Sequence, residues 1–183
     1  MKSITILASA LLALVSFSPA AVAQSEKAKP AFNDGWKKGR ETGFPIPRFV
    51  SLRPERANMR VGPSTDYQTK WVYSVRGLPM EITEEYGNWR RVRDQDGVTG
   101  WMLAPLLSSR RTAVVGPWLN APVAMRSSPS AKARVIAKLS ARVRLEIAHC
   151  DGKWCRATLA ERRMSGFIDQ SALWGVYPGE TIE

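Results

Sequence analysis

Nucleophilic or metal chemistry in this chain would have to run through His149, Cys150 and Cys155, because the sequence holds one histidine and two cysteines. A thiolate nucleophile needs a base within hydrogen-bond reach. Neighbours on an extended strand point to opposite faces, so His149 is badly placed to serve Cys150. Zinc fares no better, since structural sites usually take four Cys or His ligands. Serine hydrolase and His-metal sites would compete for the same imidazole. The supply of residues therefore argues against an enzyme, against a metal and against a bound cofactor.

Binding chemistry is better supplied. Arg90, Arg91 and Arg93 surround Trp89, and Arg110-Arg111 and Arg162-Arg163 form further basic pairs. Guanidinium forks match carboxylates and phosphates. Trp89 and Val92 are three apart, so on a regular strand they face opposite ways; Val92 suits a core and Trp89 is left half-exposed. The same spacing applies to Trp154. Tyr67, Trp71, Tyr73 and Trp101 are further candidates for an aromatic-lined groove, because flat rings bury much area at low entropic cost. The competing reading is that most of these rings complete small cores and the arginines form a solvated face.

The elements that must position these residues come from a duplication. Met59-Arg60 and Pro63-Ser64 recur as Met125-Arg126 and Pro129-Ser130, an offset of 66 residues. Leu78, Met80 and Ile82 recur as Val143, Leu145 and Ile147, Gly87-x-Trp89 as Gly152-x-Trp154, and Gly100-Trp101 as Gly166-Phe167. Each unit is made of short alternating stretches punctuated by Gly and Pro, such as Ala141, Val143, Leu145 and Ile147 inward against Arg142, Arg144 and Glu146 outward. Strands with little helix follow. Units of about 60 residues are marginal alone, so the copies are expected to pack together, with Val114-Val115 ending a strand of the first.

The 183-residue chain carries 27 Lys+Arg against 16 Asp+Glu, a formal +11. An anionic partner suits that balance. Residues 1–23 read as a secretory signal peptide: Lys2, an apolar stretch from Ile4 to Phe17, and a small-x-small site before cleavage between Ala23 and Gln24. That stretch is too short for a retained membrane span, which needs about 20 residues. Only Lys2 is lost among charged residues, so the mature protein stays basic. Residues 24–47, rich in Gly, Pro and Lys, read as a flexible leader in which Trp36 and Phe44 stand out.

In an exported protein, two cysteines default to a disulfide. A four-residue loop sets Cys150 opposite Cys155, whereas a two-residue turn at Asp151-Gly152 would pair Cys150 with Lys153. The equivalent positions in the first copy, Glu85 and Arg90, are an opposite-charge pair suited to facing positions, which favours the bridged register.

The run Ala57-Asn58-Met59-Arg60-Val61-Gly62-Pro63-Ser64, the segment around Trp89 and Gly100-Trp101-Met102 resemble the bacterial SH3-like domain (SH3b), and the flanks resemble the exported two-domain SH3b proteins. The likeness covers roughly residues 43–177. It departs in the second copy, where Ser127-Ser128 replace Val61-Gly62 and Phe167 replaces Trp101. The resemblance implies an all-β chain of two small SH3-like barrels in tandem, residues 48–115 and 117–177. It also implies non-catalytic binding of peptidoglycan peptides or an envelope protein in the periplasm or outside the cell. A regulator that modulates an exported enzyme, and an adsorber to anionic phosphate-rich surfaces, are the alternatives. Nucleic acid is disfavoured by the export route.

Overall fold

The structure, a computed structural model, describes residues 36–159 and 162–183; the signal peptide and the first half of the leader lie outside the described residues. A short hairpin, β1 (Lys37–Lys38) and β2 (Pro45–Ile46), opens them. The first sheet follows with β3 (Arg48–Leu52), β4 (Ala57–Arg60), β5 (Thr69–Tyr73), β6 (Pro79–Tyr86), β7 (Trp89–Arg93), β8 (Thr99–Leu103) and β9 (Leu107–Ser108). The second contains β10 (Thr112–Val115), β11 (Val123–Arg126), β12 (Val135–Leu139), β13 (Arg144–Asp151), β14 (Trp154–Leu159), β15 (Met164–Asp169) and β16 (Leu173–Trp174); β17 (Thr181–Ile182) pairs with β13.

The strand orders are β5-β4-β8-β7-β6-β3-β9 and β12-β11-β15-β14-β13-β10-β16, the same path seven elements on. Even the irregularities recur. Ladders shift at Met59/Arg60 and Met125/Arg126, and again at Ile82/Glu84 and Ile147/His149. Bulges of this kind bend a strand and help curl a small sheet around its core. Gly100 and Gly166 show why the glycine before the aromatic recurs. A Cβ on Gly100 would lie 2.4 Å from Met59 Cγ, and one on Gly166 2.6 Å from Met125 Cγ, so the methionine crosses directly over it. Both methionines are fully buried.

Two cores result. Val50, Leu52, Met59, Met80, Ile82, Val92 and Met102 fill the first; Ala113, Val115, Met125, Leu145, Ala157 and Ile168 fill the second. Val114-Val115 therefore does not end a strand of the first copy. β10 pairs with β13 and β16, so the handover between sheets falls at residues 109–111. An apolar run cannot name its sheet, and here the partners decide.

From Trp36 on, the leader is also more ordered than its composition suggests. Its last residues form the β1–β2 hairpin, held to the first sheet by Glu85, and Trp36 packs edge-on against Tyr177 at 4.7 Å. Phe44 stays exposed.

Cys150 faces Cys155 with Cα atoms 4.1 Å apart, and the two are bonded. Glu85 faces Arg90 at the matching place, an ion pair of 3.6 Å. Both copies thus tie the same hairpin, one covalently and one ionically. Replacing both cysteines by serine is expected to cost about 2 kcal/mol in urea unfolding, the chain-entropy value for so short a loop.

The domains are joined through named contacts. Phe49 meets Trp174 and Tyr177 with ring centroids 5.1 and 4.5 Å away. The Tyr177 hydroxyl donates to Glu81 Oε1 at 2.9 Å, and Arg93 lies over the Trp174 ring at 5.5 Å. Arg142 reaches both oxygens of Asp96 at 2.7 and 2.8 Å, which holds that carboxyl below its usual range.

Candidate functional site

Residues of the first sheet that turn away from its core fall into three rows. Pairing across strands aligns Phe49, Glu81, Arg93 and Thr99 in the first. Glu84, Arg91, Trp101 and Arg60 make the second, and Tyr86, Trp89 and Leu103 the third. The second domain covers the first row through Trp174 and Tyr177. The other two rows remain open.

Strand alternation makes this face. Arg90 and Val92 turn inward on β7, and Gly100 and Met102 on β8, leaving Trp89, Arg91, Trp101 and Leu103 outward. β4 touches β8 at the Arg60–Trp101 pair. Beyond it lies a groove of about 310 Å³ lined by Arg56, Asn58, Arg60, Trp89, Leu103 and Leu106, among others. Arg60 is fixed by donating Nη1 to the Tyr67 carbonyl at 2.6 Å. The Tyr67 ring lies over Gly62, where an added Cβ would come within 2.5 Å of it. Arg91 is loosely paired with Glu84 at 3.3 Å, both half-exposed. The arrangement offers one apolar slot flanked by guanidinium groups, suited to an extended ligand bearing a carboxylate.

The candidates named from sequence separate. Trp89, Arg91 and Trp101 share the open face, and Tyr67 sits on the loop beside it. Trp71 is exposed, but it lies at the sheet's edge on the side of Tyr73, 6.4 Å from that ring. Tyr73 is no groove residue. It is buried, donates to Asp94 Oδ2 at 2.8 Å, and burial followed by that carboxylate pushes its hydroxyl pKa up. Arg90 is likewise internal: it donates to the carbonyls of Gly87 and Trp89 at 2.8 Å and faces Glu85. Arg93 belongs to the domain boundary through Glu81 and Trp174. Trp154, expected to be half-exposed, is buried at the hairpin where the chain's last strand returns to pair with Cys150 and Asp151. Arg110 pairs with Glu146, and Arg111 holds both oxygens of Glu180.

Arg60, Asn58 and Leu103 complete the face without having been singled out from sequence. Counting by twos from Met59 and Met102 marks all three as outward.

The second copy does not rebuild the site. Asp169 stands where Leu103 does and spends its carboxylate on Ser171; Ala124 replaces Asn58, and Ala137 replaces Trp71 opposite the methionine. The Tyr73–Asp94 pair becomes Leu139 and Leu159. Among the described residues, no group of three or more His, Cys, Asp or Glu is arranged to hold a metal ion, and no helix is long and apolar enough to cross a membrane.

No curated protein matches the chain. Among solved structures it is similar to NlpC2 from Trichomonas vaginalis, at 17% identity over 70% of this chain and 48% of that one, with a TM-score of 0.32. An NlpC/P60 family protein from Bacillus cereus ATCC 10987 gives 12% identity over 74% of this chain and 58% of that one, TM-score 0.31. NlpC1 from Trichomonas vaginalis gives 16% over 74% and 48%, TM-score 0.30. The chain spans about half the length of these proteins. The bacterial SH3 domain model matches twice, at residues 53–109 and 120–175, one copy on each sheet. With both matches together spanning more than half of its length, the chain belongs to the bacterial SH3 domain family.

Proposed function

We propose that the protein is a non-enzymatic holding module of the cell envelope, in which the first domain grips a peptide of the wall and the second braces it. The observation that carries this is the open face of the first sheet. Trp89, Trp101 and Leu103 supply apolar area there and Arg60 and Arg91 supply carboxylate-binding forks; the second copy keeps both arginines as Arg126 and Arg156 but puts Asp169 in place of Leu103 and Phe167 in place of Trp101, and buries Trp154. Wall stem peptides combine a slender backbone with free carboxylates, the chemistry this slot fits. Membership of the bacterial SH3 family agrees with binding rather than reaction. Both thiols are tied in a disulfide, which leaves no thiolate nucleophile and supports an oxidising compartment outside the cytoplasm.

Co-sedimentation with purified insoluble peptidoglycan tests the reading. Wild type is expected in the pellet, with Trp89→Ala weakening binding at least tenfold, since a central aromatic anchor is worth about 2 kcal/mol or more. Arg156→Gln, at the place in the second copy that matches Arg91, should bind as wild type. Complete recovery in the supernatant at low salt would overturn the wall ligand. A single stoichiometric protein partner that survives wall digestion, and is lost on Trp89→Ala, would move the same face to an envelope protein.

A further inference from the structure

Between the domains lies a second feature that the open face does not explain. β3 turns Val50 and Leu52 into the first core and β10 turns Ala113 and Val115 into the second. Ser51 and Thr112 therefore take the opposite sides of their strands, and both line a cleft of about 220 Å³ between the two sheets. Four arginines line it as well: Arg53, Arg76 and Arg110 from the first domain and the handover, and Arg144 from the second. One carboxylate shares the cleft, Glu146, 3.2 Å from Arg110. The charge gathered there is strongly positive.

This cluster is built rather than scattered. Arg144 Nη1 donates to the Arg76 carbonyl at 2.7 Å, which fixes residues of different domains beside each other. Arg53 Nη2 is held by the Leu107 carbonyl at 3.2 Å. Thr112 closes the wall with its methyl group, 3.9 Å from where a Cβ on Gly77 would lie. Like charges held together also repel, and an anion between them relieves that cost.

We propose that this cleft is a binding site for a phosphate-type oxyanion. A planar carboxylate is satisfied by one or two forks in its own plane. A tetrahedral phosphate takes donors from several directions at once, which is how arginines on separate elements around a pocket present them. The site is separate from the aromatic face and does not depend on the wall reading.

Titrating the full chain with pyrophosphate by calorimetry, at constant ionic strength made up with chloride, tests it. Saturable binding to one site is expected. Arg76→Gln and Arg53→Gln should each weaken it at least fivefold, while Arg91→Gln on the aromatic face leaves it within twofold of wild type. Arg76 is exposed and its guanidinium has no partner among the described residues, so its variant should melt with wild type. Vesicles containing a phosphomonoester lipid distinguish the source. Vesicle binding that pyrophosphate competes away assigns the phosphate to a surface headgroup, and pyrophosphate binding without vesicle binding assigns it to a soluble ligand; both uphold the site. A non-saturating signal, an equal loss in Arg91→Gln, or tighter binding of citrate than of pyrophosphate would overturn it.

Discussion

Phe49→Ala is expected to lower the unfolding free energy by about 3 to 5 kcal/mol, the range for truncating a buried phenylalanine. Phe49 is 7% exposed although it points away from its own core, because Trp174 and Tyr177 of the second domain cover it. The variant therefore removes the centre of the domain boundary. It also loosens the lid over Glu81, whose buried carboxylate takes the Tyr177 hydroxyl and the Arg93 Nε. Thermal unfolding is expected as a single transition in wild type, because each barrel is small and leans on the other, and should separate into two in the variant. A single transition at the wild-type midpoint would show that the rings only touch.

Glu85→Gln should cost about 3 kcal/mol, as expected when one partner of a buried ion pair is removed. The side chain of Glu85 is fully buried, yet it receives Arg48 at 2.7 Å, the Thr42 hydroxyl at 2.7 Å, and the amides of Glu41 and Thr42 at 2.9 Å. Burial alone would raise its pKa. The hydrogen bonds from Thr42, Arg48 and the two amides outweigh burial and bring it down to about 2. A depressed carboxyl stabilises the fold above the unfolded glutamate value, near 4.3, and that contribution fades as pH falls toward 2. Denaturant unfolding across this window should show wild-type stability dropping as pH falls, with a flatter acid limb in Glu85→Gln. The same substitution should release the β1–β2 hairpin, seen as faster amide exchange at Glu41 and Thr42.

Much of this architecture is legible from local pattern. The paired methionines and the glycines beneath them recur because the same close crossing is built twice. The spacing of Trp89 and Val92 correctly separates outside from inside, because strand alternation is a local rule. The hairpin register of Cys150 and Cys155 follows from its ionic twin in the first copy. What escaped depends on contacts between distant segments. Tyr73 looks like a groove ring until Asp94, 21 positions on, accepts its hydroxyl in the core. Trp154 has the spacing of Trp89, but the chain end returns to its hairpin. The leader has a disordered composition, yet Glu85 captures it from 44 positions away. The open face reads only half-way, because Arg60 and Leu103 join Trp89 through strand pairing rather than through sequence proximity.

The most direct test of a recognition face confined to the first domain is a nuclear magnetic resonance titration of the isotope-labelled protein with a soluble stem peptide released from the wall. Shifts are expected at the Trp89 and Trp101 indoles and the Arg60 amide, with Arg156, Phe167 and Asp169 unmoved. Shifts centred on those second-domain residues, or on neither face, would contradict it.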